Sequence, residues 1–496
     1  MRRLFTHPSI YLLRSLGLLL IALPCFAHVG SPDVYFDGQA GPYRLLVTVR
    51  PPAMIPGIAQ VEVRSSAPGV QSIQAVPLYI VGEGSKYPPS PDALQQSKED
   101  PLLFTGQLWI MGSGSWQVRL EATGAQGPGS VSVPVPAFAT RTLPMQKTLG
   151  AFLFAVMLLL VAAFVSIFRA GGREGFLDPG QKPGRAQSLR GLVVMGISGL
   201  LLIAILFFGN LWWDDVAASQ ARNMIYKAPP LAVSLQSPGQ LVLRIGESRW
   251  HSQGMRKQTV MSALIPDHGH LMHLFLIRTP QMDRFYHLHP ERTEDQVFAQ
   301  QLPALPAGHY QIFADIVRAS GFPDTMTAEI DLPDLSTGLT SGDDSQAVAP
   351  ALPESRQSTN VSSLAGGGRM IWERDSNPVR AGRPLWFRFR VEDQQGKPAQ
   401  DLEPYMGMAG HAEFLSFDRS VFAHVHPEGS VAMAALALAN PSEKPDAMAN
   451  MSHTPQAFSE ISFPYGFPKP GDYRMFIQVK RAGQVQTGIF DVRVEP

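Results

Sequence analysis

Two apolar runs constrain this chain more than any other feature. No charged residue occurs from Thr148 to Phe168, and a second uncharged run lies between Arg190 and Asp214, ending in Trp212-Trp213. A helix of ~20 apolar residues crosses a bilayer core, and a tryptophan pair suits an interfacial anchor. Transmembrane helices are therefore expected at 148–168 and 191–213. The intervening loop, 169–190, carries Arg169, Arg173, Lys182, Arg185 and Arg190 against Glu174 and Asp178. Basic loops stay in the cytoplasm, which puts both flanking regions on the outer side. Neither run contains the ionisable residues that usually mark a transport route, so the helices read as tethers.

The N-terminus agrees with that topology. Met1-Arg2-Arg3 and Arg14 precede an apolar stretch from Leu16 to Leu23 and then Pro24-Cys25-Phe26-Ala27, the pattern of a secretory signal peptide over 1–27. Cleavage after Ala27 would leave His28 as the mature amino terminus. It would also remove Cys25, the only cysteine of the chain. Disulfide frameworks and cysteine metal sites are thereby excluded. Forty-one Lys and Arg balance 41 Asp and Glu, so no basic stripe points to nucleic acid, and no motif points to a small-molecule substrate.

Forty-four glycines and 43 prolines favour short strands and turns outside the membrane. In 28–145 the runs Arg44–Arg50, Gln60–Arg64, Gln107–Met111, Trp116–Ala122 and Ser130–Val135 read as strands of an antiparallel sandwich. Residues 334–368 lack aromatics and are rich in Ser, Thr, Gly, Pro and Ala, the composition of a flexible linker. It separates modules at 228–333 and 369–496, which are expected to fold independently.

Those two modules repeat each other. Pro266-Asp267-His268-Gly269-His270-Leu271-Met272-His273 aligns without a gap on Pro404-Tyr405-Met406-Gly407-Met408-Ala409-Gly410-His411. His287-Leu288-His289-Pro290-Glu291 then matches His424-Val425-His426-Pro427-Glu428, and Gly308-His309-Tyr310-Gln311-Ile312-Phe313 matches Gly471-Asp472-Tyr473-Arg474-Met475-Phe476. Gly114-Ser115-Trp116-Gln117-Val118 faintly echoes the last strand, so the first module reads as a remote third copy.

Eight histidines fall within the first two pairs of aligned segments. Residues two apart in a strand share a face, so His287 projects with His289 and His424 with His426, with Phe285 and Phe422 on the same faces as shields. Joined by the preceding histidine, these give two expected three-nitrogen sites: His273, His287 and His289, and His411, His424 and His426. A polar turn would account for a single HxHP; its duplication favours a metal. Imidazole suits copper, zinc, nickel and iron, whereas thioether selects Cu(I). The second copy replaces His268 and His270 by Met406 and Met408, and its insertion adds Met448, Met451 and His453. Copper in both oxidation states, Cu(I) and Cu(II), is the expected metal and zinc the alternative. A free amine at His28 would offer a further chelate. His268 and His270 differ in parity from His273, so an unbroken strand would point them to the opposite face. Bulges at Gly269 and Gly407 would re-aim them; without these each module holds two half-sites or just one site, with His268, His270, Met406 and Met408 as a second shell or second site.

Leu402–His411, the HxHP strand and Gly-x-Tyr-x-x-Phe together resemble bacterial YtkA-like and FixH-like envelope β-sandwich proteins associated with heavy-metal handling. Ala27-His28 is similar to the mature start of CopC-like periplasmic copper carriers, although no partner histidine follows within 29–145. The first resemblance covers the two distal modules and implies a mainly β fold of immunoglobulin-like β-sandwich modules, here tethered by two transmembrane helices. It also implies metal buffering, delivery or tolerance at the bacterial inner membrane. Two rivals stand beside it. One is an assembly protein docking a membrane partner such as an oxidase or transporter. The other is a metal-dependent enzyme, since His287-x-His289-x-Glu291 followed by His309 resembles cupin ligands, though His309 becomes Asp472 in the other copy.

Overall fold

The structure, a computed structural model, describes residues 32–248, 250, 263–350, 359–374, 377–441 and 459–496. The signal segment, His28, Met448, Met451 and His453 lie outside these residues.

Two helices, Lys147–Glu174 and Arg185–Met224, contain the two apolar runs. Both are long and apolar enough to cross a membrane, and their apolar windows are 0% and 11% buried by the rest of the protein. Each helix continues beyond its run, the second through Asp214–Met224, because nothing there breaks a helix before Pro229-Pro230. Apart from a short helix, Met433–Ala439, and a 3-10 turn at Glu83–Ser85, the remaining regular structure among the described residues is β-sheet, and the mainly β expectation holds.

The first module packs a five-stranded antiparallel sheet on a four-stranded one. The expected strands fall within or at the ends of Tyr43–Arg50, Gly57–Ser65, Leu103–Ile110, Gly114–Gly124 and Gly127–Ala137. Alternate residues such as Ala59, Val61 and Val63 point into a core shared with Val118 and Val133 of the facing sheet. Sequence reading missed Val34–Ala40, which forms one edge of the larger sheet, and Val70–Tyr79.

The repeats fold alike. In the second module His273–Thr279 lies between Gly308–Arg318 and Arg284–Leu288, and in the third His411–Ser416 lies between Gly471–Arg481 and Phe422–Val425. Gly114–Gly124, Gly308–Arg318 and Gly471–Arg481 are all 11-residue strands that open on glycine and pair with the following strand.

The stretch read as a flexible linker is partly sheet. Ser345–Val348 pairs with Arg284–Leu288, placing Ser345 opposite His287, and Val361–Ser363 pairs with Arg369–Trp372. Low aromatic content does not prevent this, because a sheet edge binds a neighbour through its backbone groups. Nor do the distal modules stand apart. Phe285 stacks on Phe476 at 4.3 Å and Phe422 on Phe313 at 4.2 Å, in a cluster with Phe275, Ile277 and Leu415. Arg474, fully buried, pairs with Asp491 and donates to the carbonyls of Met282 and Pro350 across the interface. Thus Phe285 and Phe422 shield the histidines by joining two modules.

Candidate metal centre

The repeated histidines meet at this interface. His273 and His411 open inner strands of the two facing sheets, and His287 and His424 each sit one residue before the end of a neighbouring strand. His289 and His426 follow immediately. The turns before the inner strands bring in the rest. Asp267 and His270 exchange backbone hydrogen bonds of 2.8 and 3.0 Å, and the residues between them, His268 and Gly269, have φ of 51° and 87°. Positive φ at both central positions is the mark of a tight reversed turn, which glycine adopts without strain. Tyr405–Met408 repeats it, with Met406 and Gly407 at 50° and 81°. The expected bulge is therefore a two-residue turn, and it swings His268 out of its own module.

Two triads result. His273, His287 and His289 have ligand nitrogens within 4.8 Å of one another, and so do His268, His411 and His426. The first is the set expected for the second module. In the second triad His268, reaching across from the other module, takes the place expected for His424. The ring of His424 lies alongside, its centroid 4.6 Å from His426 and 5.4 Å from His411.

Hydrogen bonds decide which nitrogens are free. His268 donates from Nδ1 to the Met406 carbonyl at 3.1 Å, and His426 from Nδ1 to the Val431 carbonyl at 3.1 Å. Both Nε2 atoms must then carry lone pairs, yet they face each other at 3.3 Å. In the other triad His273 donates from Nε2 to the Asp267 carbonyl at 3.1 Å, and His287 from Nδ1 to Gln478 Oε1 at 2.8 Å. Their remaining nitrogens face each other at 3.2 Å. His289 donates from Nδ1 to Asp344 at 3.0 Å, leaving a buried Nε2 without a partner. His411 has no partner for either ring nitrogen. Opposed lone pairs repel unless a cation lies between them. Two nitrogens ~2.0–2.1 Å from one tetrahedral ion stand ~3.3 Å apart, so the donor set fits a metal.

A proton is a poor substitute for that cation. Burial, followed by the fields of neighbouring imidazoles, holds His273, His287 and His411 well below the usual histidine range. His426 is held well below it by burial and by His424 and His268. His268 and His289 are lowered too, chiefly by burial. Neutral, oriented imidazoles are the form that binds metal, and carboxylate or carbonyl acceptors behind them fix the ring.

Several residues of the centre went unread in the sequence. Gln478 orients His287; Asp344, in the presumed linker, orients His289; Asp343 Oδ2 lies 3.6 Å from His270 Nε2; Asp315 Oδ2 lies 3.4 Å from His424 Nδ1. Asp315 and Gln478 are the register partners of His273 and His411, so each copy orients the other's HxH histidine. Glu413, fully buried, has its carboxyl 3.8 Å from His287 and no hydrogen-bond partner for either oxygen. Burial, then the charge of Asp315, pushes it well above the usual carboxylate range. Two signals could have found them: Glu413 shares parity with His411, and Asp315 and Gln478 each follow an aligned Phe by two.

Not all candidates enter. Met406 meets the centre through its carbonyl, and Met408 is buried in the turn. His309 is a surface residue paired with Asp331 at 2.8 Å, and Glu291 is exposed, so the cupin-like set does not assemble. A cavity of about 600 Å³ reaches the centre at His270, His273, His424 and His426, and its far wall includes Phe138 and the Ile225–Pro230 segment leaving the second helix.

Fold and site together define a chain of paired β-sheets closing on a buried polyhistidine interface beside two span-length helices. Residues 365–496, the third module, match the family described as a domain of unknown function, DUF8832. No curated protein matches the chain. Among solved structures, an engineered protein is 22% identical over 19% of this chain, with a TM-score of 0.15; the chain spans 20% of that protein. A bacterial ice-binding adhesin is 5% identical over 89% of this chain and 91% of its own, with a TM-score of 0.14. A tandem-repeat region of a large adhesion protein is 8% identical over 93% of this chain and 82% of its own, with a TM-score of 0.16.

Proposed function

We propose that this chain is a membrane-tethered copper-binding protein of the bacterial envelope, serving metal buffering, delivery or tolerance. Its three modules, read as immunoglobulin-like sandwiches, lie on the periplasmic side, and the 169–190 loop faces the cytoplasm. The observation that carries the reading is the pair of opposed, unprotonated nitrogens in each triad, at 3.3 and 3.2 Å. An all-imidazole donor set suits copper and zinc alike; copper is preferred because the second copy carries Met406 and Met408 where the first has His268 and His270.

Metal analysis of the detergent-purified chain tests the reading. Two copper ions per chain are expected. His268→Ala with His426→Ala should remove one, and His287→Ala with His289→Ala the other. A wild-type chain that retains no copper after equilibration, or variants that bind as much as wild type, would refute it. Preference for zinc over copper in competition would replace the metal and leave the site.

A further inference from the structure

The two triads are not remote from each other. Ring centroids within a triad lie 4.7–5.4 Å apart. Across the triads His268 is 6.0 Å from His273, and His287 is 6.2 Å from His411. His424 fills the space between: its ring is 5.3 Å from His273, 5.7 Å from His287, 5.4 Å from His411 and 4.6 Å from His426. Its Nε2 is buried and has no partner. The same cavity touches His273 of one triad, His426 of the other and His424 between them.

Resting on the metal-binding reading, we infer that the triads form one dinuclear centre, whose open coordination positions face the cavity and take a small ligand bridging both ions. Three protein nitrogens leave a fourth position free on an ion that prefers four. Two ions held ~4 Å apart can share one such ligand. Charge points the same way. Six neutral imidazoles do nothing to offset the charge of two divalent ions in a buried site, and unbalanced buried charge is costly. The carboxylate of Asp344 stands behind the His289 ring and that of Asp315 behind the His424 ring, one layer out. A small anion would supply the missing inner-shell partner. His424 is a positioning residue beside that ligand, ready to meet it through Nε2.

The test uses the full chain in detergent, loaded with Cu(II), with azide as the bridging probe. Quantitative electron paramagnetic resonance should detect far fewer than two spins per two bound ions, or a half-field signal from a coupled pair. Azide should bind once per pair, with a new charge-transfer absorption that saturates at that ratio. His424→Asn should retain both ions yet weaken azide binding at least tenfold. Two ions with the full spin count, no half-field signal and independent azide binding would overturn the dinuclear inference and leave the metal-binding reading intact. Failure to bind copper would remove both.

Discussion

Stripped of metal with a chelator, the protein should lose stability when acidified from pH 7.5 to 5.5. His273, His287, His411 and His426 are held neutral in the fold, well below their ordinary range, whereas an unfolded imidazole titrates near ~6.5. Between these pH values the unfolded chain takes up protons that the folded one refuses. Stability is therefore complete above the unfolded value and falls as pH falls through it. Each group contributes roughly 1 kcal/mol across the window, and the four together about 5 kcal/mol. Glu413 acts in the opposite direction. Its carboxyl is pushed up in the fold while the unfolded group titrates near ~4.3, so acidification favours the fold at this group and offsets part of the loss. Four imidazoles outweigh one carboxyl, and a net loss of roughly 2–4 kcal/mol is expected. Urea denaturation followed by tryptophan emission at pH 7.5, 6.5 and 5.5 measures it. Glu413→Gln removes the opposing contribution, so its loss should grow to about 5 kcal/mol. A wild-type transition that stays put, or moves to higher urea in acid, would refute the claim that these rings are buried and neutral.

Copper bound by His411 and His426 should need the other module: excised 369–496, or full-length His268→Ala, should bind that ion at least tenfold more weakly, and equal affinity would sink the cross-module site. Gly429 has φ of +120°, and a Cβ there would sit 2.0 Å from the Tyr35 carbonyl oxygen. Gly429→Ala should cost ~1–3 kcal/mol in strain and separate the first module from the third; an unchanged melt would count against that junction. Alkaline phosphatase fused after Thr140 and after Gly368 should be active in both cases, and an inactive fusion at either point would reverse the proposed topology.

The eight histidines were legible because duplication picks them out and strand parity pairs them. Their grouping was not. Sequence parity assigns His424 to its neighbour His426, but the positive-φ turn at His268 and Gly269 carries His268 across an interface that no local pattern reveals. The assumption of a flexible linker hid that interface, since 345–348 joins a sheet by backbone pairing, which composition does not signal. Phe275, Phe285, Phe422 and Phe476 read equally well as cores of separate modules; only their packing makes them a shared face. The span-length helices were legible in full as apolar runs, but their continuations to Glu174 and Met224 were not, because polar helix formers carry no hydropathy signal.

The first module also holds the third by its backbone. Asp37 donates its N–H to the Glu428 carbonyl at 2.8 Å, Ser430 donates to Tyr35 at 2.9 Å, and Tyr35 donates to the Ser430 hydroxyl across 395 residues of chain. Both span-length helices are threaded between these partners. At ~5–20 residues per second of synthesis, Val34–Ala40 is made roughly 20–80 s before its partner. For that interval it is an open sheet edge, the kind of surface on which chains aggregate. Asp37, 6% exposed in the finished protein, places a charge on that edge while it waits. A nascent chain arrested before Glu428 leaves the edge open however well its first module has folded, so premature termination is expected to expose a sticky intermediate as well as to abolish the histidine centre.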